Sequence, residues 1–178
     1  MLRIDHRESN DIDIFLSDAQ LLQFFDPEKR DFKFGIRPDD WRVDGARFMK
    51  LAFGEIGQID FIVADALTSS PSTEASVDGV TIQLETIHEI ITKKIYFRAA
   101  SLQPRDIFDI AAAAEQHAEA LIESLRIYPR CVAQALSTLN NLKPEFVNLA
   151  IRQLTIKDAY RAVAERAFER SKEFLRAV

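Results

Sequence analysis

The hydrophobic period of this chain changes at Thr86. Before it, apolar residues tend to recur at every second position. After it, they recur at helical spacing. A chain divided in this way is expected to fold as α+β, a mixed sheet first and a helical bundle after it. The division puts a sheet portion at residues 1–85 and a helical portion at 86–178, packed as one unit or as a second lobe. No internal repeat and no linker composition interrupts either part.

Within the first part, Asp11-Ile12-Asp13-Ile14 alternates polar with apolar and predicts a strand running through Leu16. Residues 17–22 read as the start of a short helix, Asp26-Pro27-Glu28-Lys29-Arg30 as a loop, residues 32–36 as a strand, and Pro38-Asp39-Asp40 as a turn. Two stronger strands follow at 47–53 and 59–63, joined by a hairpin at Gly54-Glu55-Ile56-Gly57. The first puts Met49, Leu51 and Phe53 on one face; the second puts Ile59, Phe61 and Val63 opposite Asp60. Residues 67–76 are polar and turn-rich and read as a loop. Asp78-Gly79 then turns into a strand at 80–84.

Thr86-Ile87-His88-Glu89 has the form of a capping box, with the Thr hydroxyl accepting from the backbone and Glu89 reaching back. A helix is expected from there to about residue 100. Pro104 suits a first helical position, with Asp106 and Asp109 in the first turns of a helix that runs to about His117 or beyond. Further helices are expected at 118–126, 129–139 and 144–153. A last one, capped by Thr155, carries the apolar stripe Tyr160, Val163, Ala164, Ala167, Phe168, Phe174, Leu175 and Val178, which reads as core.

Composition narrows the function classes. Apolar residues at 47% and charged residues at 29% describe a globular chain. A net charge of −5 argues against a basic nucleic-acid coat but leaves room for a local patch. Between residues 126 and 157, Arg126, Arg130, Lys143, Arg152 and Lys157 face one acid, Glu145; this excess could track an RNA backbone or be a solvated bundle face. The longest aliphatic run, residues 110–114, is too short to span a bilayer, and charged residues stand where a signal peptide needs an apolar stretch. Cys131, the single cysteine, can form neither an internal disulfide nor a zinc cluster and reads as a structural thiol. A cytoplasmic protein with no membrane partner is expected.

Two features carry chemistry. Alternation puts Asp11 and Asp13 on one strand face, and Asp60 points away from its apolar neighbours. If those strands adjoin, three carboxylates converge where a cation is required, as in sites that hold Mg²⁺ with substrate phosphates. The plain alternative is a solvated face of an edge strand. The second feature is Lys93-Lys94, Arg98 and Arg105, four cations with no acid between residues 93 and 105. These could meet triphosphate oxygens or form a charged helix surface. Trp41 could stack on a base or serve in packing. His6 and Arg7 have no evident metal partner, and His88 and His117 read as surface or structural residues.

Three segments together resemble a known family. His6-Arg7-Glu8-Ser9-Asn10-Asp11-Ile12-Asp13-Ile14-Phe15 is similar to the signature of the AbiEii/AbiGii-type nucleotidyltransferases, the toxin components of type IV toxin–antitoxin and abortive-infection systems. Glu89-Ile90-Ile91-Thr92-Lys93-Lys94-Ile95, followed by Arg98, resembles the family helix that carries one key lysine. On that register the lysine is Lys94, and Lys93 is incidental. Arg105-Asp106-Ile107-Phe108-Asp109-Ile110 resembles a third family segment. The resemblance implies transfer of a nucleotide from a nucleoside triphosphate to RNA, with a tRNA acceptor end as one target, with Mg²⁺ or Mn²⁺ as cofactor and an antitoxin as partner. It implies that Asp11, Asp13 and Asp60 bind metal, that Ser9 and Lys94 bind nucleotide, and that Asp106 supports Lys94 or the acceptor. Asp109 reads as structural, bonded to backbone or to Arg105.

The family also has a Gly-Gly loop shortly before the Asp-x-Asp strand, and Met1-Leu2 stands where that loop should end. The expectation is a sheet portion truncated at its N-terminus, with the metal-binding carboxylates present and weak or no transfer activity. The competing expectation is a non-catalytic, degenerate transferase that binds protein or RNA.

Overall fold

The computed structural model describes residues 3–30, 34–44 and 47–178. It has the expected α+β class: six strands, β1 Asp11–Leu16, β2 Asp40–Asp44, β3 Phe48–Ala52, β4 Gln58–Val63, β5 Ser72–Val77 and β6 Val80–Glu85, precede the helices among the described residues. The helices are α1 Ile87–Arg98, α2 Pro104–Leu125, α3 Pro129–Asn141, α4 Pro144–Arg152, α5 Arg161–Glu165 and α6 Ala167–Ala177. No helix among the described residues is long and apolar enough to cross a membrane.

Contacts divide the chain into two compact units, one of Ser9–Asp65 and one of Met1–Glu8 with Ala66–Val178. This division lies earlier than residue 85 because β5 and β6 pair only with each other in their own hairpin. Arg3 also ties the N-terminal segment to that hairpin, donating from Nε to the Glu85 carbonyl and from Nη2 to the Leu84 carbonyl.

The smaller unit is a four-stranded sheet in the order β1-β4-β3-β2. Strand β1 runs parallel to β4, and the other pairs are antiparallel. Met49, Leu51 and Phe61 are buried on one face with Leu16 and Leu22, and Ile14, Ile59 and Val63 pack against them. These are the alternating positions read from the sequence. Ile12, at the exposed start of β1, is the exception at 57% exposure. The helix expected at 17–22 is a 3-10 turn at Ala19–Phe24, capped by the Asp18 side chain. The turn at residues 38–40 leads directly into β2, a strand the sequence did not announce. Of the strand expected at 32–36, residues 32 and 33 lie outside the described residues, and 34–36 form no strand. Met1 and Leu2 lie outside them too.

In the larger unit, residues 72–77 correct the expected loop. They form β5, antiparallel to β6 across Asp78-Gly79, whose φ angles of 50° and 81° suit a tight hairpin turn. Polar residues fill β5 because its outer positions face solvent. Thr86 caps α1 as expected, accepting from the Glu89 backbone N–H at 3.4 Å. The Glu89 carboxylate does not reach back, because its oxygens accept from the backbone N–H groups of Leu67 and Thr68 and from the Thr68 hydroxyl. Helix α2 is the bundle's axis. Every residue from Asp106 to Ala113 is buried, all round the helix, and the chain kinks at His117. Proline opens α2, α3 and α4, where its missing N–H costs nothing.

The last expected helix begins later than Thr155. The Thr155 carbonyl accepts from the Glu8 N–H, and Lys157 N–H donates to the His6 carbonyl, so an antiparallel bridge between Arg7 and Ile156 holds this stretch extended. A 3-10 turn at Asp158–Tyr160, then α5 and α6, follow it. Phe168, Phe174 and Leu175 of the predicted stripe are buried.

Candidate functional site

The parallel pairing of β1 with β4 makes Asp13 and Asp60 direct partners and sets Asp11 beside Gln58. On the other side of β4, β3 brings Lys50 opposite Asp60, and β2 continues the row with Arg42. Residues in register across a sheet project to one face. Two carboxylates and two cations thus form one row on the face opposite Met49 and Phe61. Lys50 Nζ donates to Gln58 Oε1 at 2.8 Å and stands 3.6 Å from Asp60 Oδ1. That Oδ1 is buried and has no hydrogen-bond partner among the described residues. Burial raises the pKa of Asp60, and the charges of Asp13 and Asp11 add to the rise, while Lys50 opposes it.

Asp60 therefore carries its charge at a cost. A carboxylate whose folded pKa is raised favours the folded state below its ordinary value and loses that contribution as pH rises through the folded value. Asp60→Asn is expected to raise stability at pH 7 by about 0.5–1 kcal/mol, with the gain fading toward pH 3. Urea midpoints at the two pH values check this, and an equal gain at both would sink it.

Among the described residues, no three acid, histidine or cysteine side chains are gathered as a complete metal cage. The sheet offers a pair of neighbouring carboxylates, with a third two residues along β1. That donor set fits Mg²⁺ or Mn²⁺, which take hard oxygen ligands and can fill the remaining positions with water and phosphate oxygens. The buried Oδ1 of Asp60, 3.6 Å from Lys50 Nζ and without a hydrogen-bond partner among the described residues, is an anionic donor of the kind such an ion takes. Ser9 is exposed just before β1.

The other predicted residues lie in the larger unit. Helices α1 and α2 pack so that Lys94 Nζ lies 2.7 Å from Asp106 Oδ1 and 3.1 Å from Asp109 Oδ2. Arg98 Nη1 reaches the same Asp106 oxygen at 3.2 Å, and Asp106 Oδ2 accepts the Gln103 N–H, closing the helix start. Asp106 thus contacts both Lys94 and Arg98.

Asp109 is structural, but its partners differ from those expected. His6 Nε2 lies 2.6 Å from Oδ1, and Arg7 donates Nε to Oδ1 at 2.7 Å and Nη2 to Oδ2 at 3.0 Å. Burial alone would raise its pKa. The His6 and Arg7 hydrogen bonds, helped by Lys94, overcome that and hold the carboxyl far below the usual carboxylate range. Among the described residues the partners of Asp109 are His6, Arg7 and Lys94, not Arg105. Lys93 is buried and ion-paired with Glu85 and Glu89.

The remaining candidates are placed simply. His88 Nε2 sits 3.1 Å from the Ser70 carbonyl, a structural contact. Trp41 shares a sheet face with Leu51, its register partner, and is 39% exposed. Arg126, Arg130, Lys143 and Arg152 are exposed, and Lys157 pairs with Glu8 at 3.4 Å.

The sequence matches no protein-family model, and the comparison with curated proteins finds no match. The chain is similar in structure to a candidate nucleotidyltransferase from H. pylori, with a TM-score of 0.49 and 15% identity over 96% of this chain and 78% of that one. The chemistry has to come from this chain's own side chains.

Lys50 was missed by sequence reasoning, yet its signal was present. The hairpin at residues 54–57 sets the register that puts Lys50 opposite Asp60, and alternation puts it opposite Met49 and Leu51. The joint hold of His6 and Arg7 on Asp109 had no such signal, because it joins residues about one hundred positions apart.

Proposed function

We propose that this protein is a nucleotidyltransferase that uses a nucleoside triphosphate and Mg²⁺ or Mn²⁺ and transfers the nucleotide to an RNA hydroxyl, a tRNA end among the candidates, as the toxin of a toxin–antitoxin or abortive-infection pair. The observation that carries the chemistry is the Asp13–Asp60 pair on adjacent parallel strands, with a buried Asp60 oxygen that has no hydrogen-bond partner among the described residues. The RNA acceptor, the toxin role and the antitoxin partner rest on the sequence resemblance.

Each group has a defined task. Asp13 and Asp60, with Asp11 beside them, would hold the divalent ion. When bound, such an ion neutralises charge that develops on the transferring phosphate. Lys94 has three ammonium donors, and two are engaged by Asp106 and Asp109. The sequence resemblance assigns Lys94 to the nucleotide, and the two carboxylates keep its ammonium in place. In the reaction the acceptor hydroxyl oxygen bonds to the α-phosphorus, the bond to the bridging oxygen breaks, and pyrophosphate leaves. The hydroxyl proton passes to a nearby carboxylate or to water. Positioning and charge neutralisation supply most of the rate in chemistry of this kind.

Lys50 favours a second reading. It already places a cation beside Asp60, as a degenerate transferase that only binds protein or RNA would tolerate. One experiment separates the two. Purified protein is incubated with each α-labelled nucleoside triphosphate, Mg²⁺ and total cellular RNA, alongside Asp13→Ala and Lys94→Ala. The transferase reading expects labelled RNA, with label reduced at least 100-fold in Asp13→Ala, within the range that loss of one transition-state contact gives. RNA without label, or label that survives Asp13→Ala, overturns it.

A further inference from the structure

Strand β2 forms one edge of the four-stranded sheet, paired with β3 on one side and with no strand on the other among the described residues. All five of its residues are exposed. It alternates Asp40-Trp41-Arg42-Val43-Asp44, so its two faces carry different chemistry. Trp41 and Val43 stand in register with Leu51 and Met49, on the face that holds the core of this unit, yet they are 39% and 45% exposed. Val43 borders a depression of about 130 Å³ together with Leu22 and Met49. The core face is thus uncovered where it reaches this edge.

The opposite face carries Asp40, Arg42 and Asp44. Arg42 faces Lys50 across the β2–β3 pair, like charge against like charge, and Lys50 stands beside Asp60 on its far side. Arg42 makes no ion pair of its own among the described residues. An open edge offers backbone N–H and C=O groups to any strand whose side chains match, and charges on an edge commonly repel such a strand. Those of β2 alternate in sign and complement a copy of themselves. In antiparallel self-pairing, the side chains stay on their own faces only in registers two residues apart. One register sets Arg42 against Arg42 and Asp40 against Asp44, like charges in direct opposition. Sliding it by two residues sets Asp40 opposite Arg42 twice, and Trp41 opposite Trp41 on the two-fold axis. Opposite charges and paired aromatics are favourable cross-strand neighbours, and directly opposed like charges are not. Each indole then lies diagonal to Val43 of the other copy, within reach of an aromatic ring. Sliding the other way pairs Arg42 with Asp44 but puts Val43 on the axis, which covers less apolar surface. Strand β1, at the far edge, has no such self-match, because its charges, Asp11 and Asp13, are of one sign.

We propose that this edge is a homodimer interface, in which β2 pairs antiparallel with β2 of a second copy, Asp40 opposite Arg42 and Trp41 opposite Trp41. The same patch serves both chains, so the contact closes at two. It supplies Arg42 with the counter-charge that its own chain lacks, and it joins the two four-stranded sheets into one. The inference is independent of the nucleotide reading.

Trp41 is the one tryptophan of the chain, so its fluorescence reports this contact directly. The full chain is studied over a dilution series, with mass read by analytical ultracentrifugation and emission by fluorimetry. Two chains per particle are expected at high concentration, with the emission maximum moving to the blue in step with mass as Trp41 leaves water. Arg42→Asp sets acid opposite acid, and Asp40→Arg sets arginine opposite arginine. Each alone should weaken dimerisation at least about 10-fold, the direction that juxtaposed like charges impose. Mixed together, these two variants should recover a dimer with one chain of each, because both cross-strand pairs are then opposite in sign. That recovery requires folded chains, so it separates a lost contact from a lost fold. Asp44→Arg alone should leave the dimer intact, since Asp44 lies outside the paired residues. A chain that stays monomeric at every concentration overturns the proposal, as does a particle of more than two chains. So does a dimer that is indifferent to Arg42→Asp, or a mixture that fails to recover. Loss of the dimer in Asp44→Arg overturns the register.

Discussion

Replacing Asp109 by alanine is expected to destabilise the protein by about 3–5 kcal/mol, the cost of removing one member of a buried ion-paired group. In a chain of this length that corresponds to a fall in Tm of roughly 6–20 °C. The size follows from what remains behind. Asp109 is fully buried, and it engages His6, Arg7 and Lys94 together. Alanine removes the carboxylate that His6, Arg7 and Lys94 share, and leaves a void where it stood; Lys94 retains Asp106. It also removes the polar tie of the N-terminal segment to α2, leaving the His6–Phe108 ring contact, the bridge to Ile156 and the Arg3 bonds to β6.

The effect has a pH signature with a definite sign. The folded-state pKa of Asp109 lies far below its ordinary value. Its stabilisation is therefore complete above the unfolded value of about 3.9 and is lost as pH falls below that toward the folded value. Asp109→Asn, which keeps the shape and removes the charge, should be less stable than wild type at neutral pH. The gap should narrow steadily below about pH 4, since the unfolded wild type takes up a proton there that the folded state does not. Urea unfolding from pH 7 down to pH 2 checks this, and a gap that stays constant would contradict the ion-pair account.

Gly57→Ala is the second large change, and it acts on the sheet. Gly57 has φ of +140°, and a Cβ there would lie 1.9 Å from the Asn10 carbonyl oxygen and 2.8 Å from its carbon. Both are backbone atoms, so no rotamer change relieves the clash. The residue must also hold a conformation that side chains disfavour, costing about 1–3 kcal/mol, and overpacking costs about as much again. A total of about 2–6 kcal/mol is expected, read as a lower urea midpoint. Gly79→Ala is the matched control. Its φ is +81°, but nothing lies within 4 Å of the added Cβ, so about 1 kcal/mol covers it. Equal costs at the two glycines would refute the close-approach argument. Because Gly57 and Asn10 directly precede the paired Gln58 and Asp11, Gly57→Ala should also displace Asp13 from Asp60 and reduce any activity that depends on them.

These variants also mark how far local reading reached. Residues 47–53 and 59–63 were legible as strands because alternation is written in neighbouring residues, and Gly54 and Gly57 announce the turn. The start of α1 was legible because Thr86 makes its capping contact three residues away. Strand β5 was not, because SPSTEAS has the composition of a loop and becomes a strand only when β6 pairs with it. Glu89 misled in a similar way: the spacing fits a capping box, yet the carboxylate serves residues 67 and 68.

The sequence by itself determined the α+β class and the faces of the central strands. Those properties depend on periodicity and spacing within a few residues, where side-chain size, polarity and backbone preference act directly. Only the tertiary structure decided that Asp60 faces Asp13 on one side and Lys50 on the other, and that Lys94 is held by two carboxylates. Only the tertiary structure, too, made Asp109 the anchor of His6 and Arg7. A buried charge is stabilised by whatever packing brings to it, and here those partners come from segments distant along the chain.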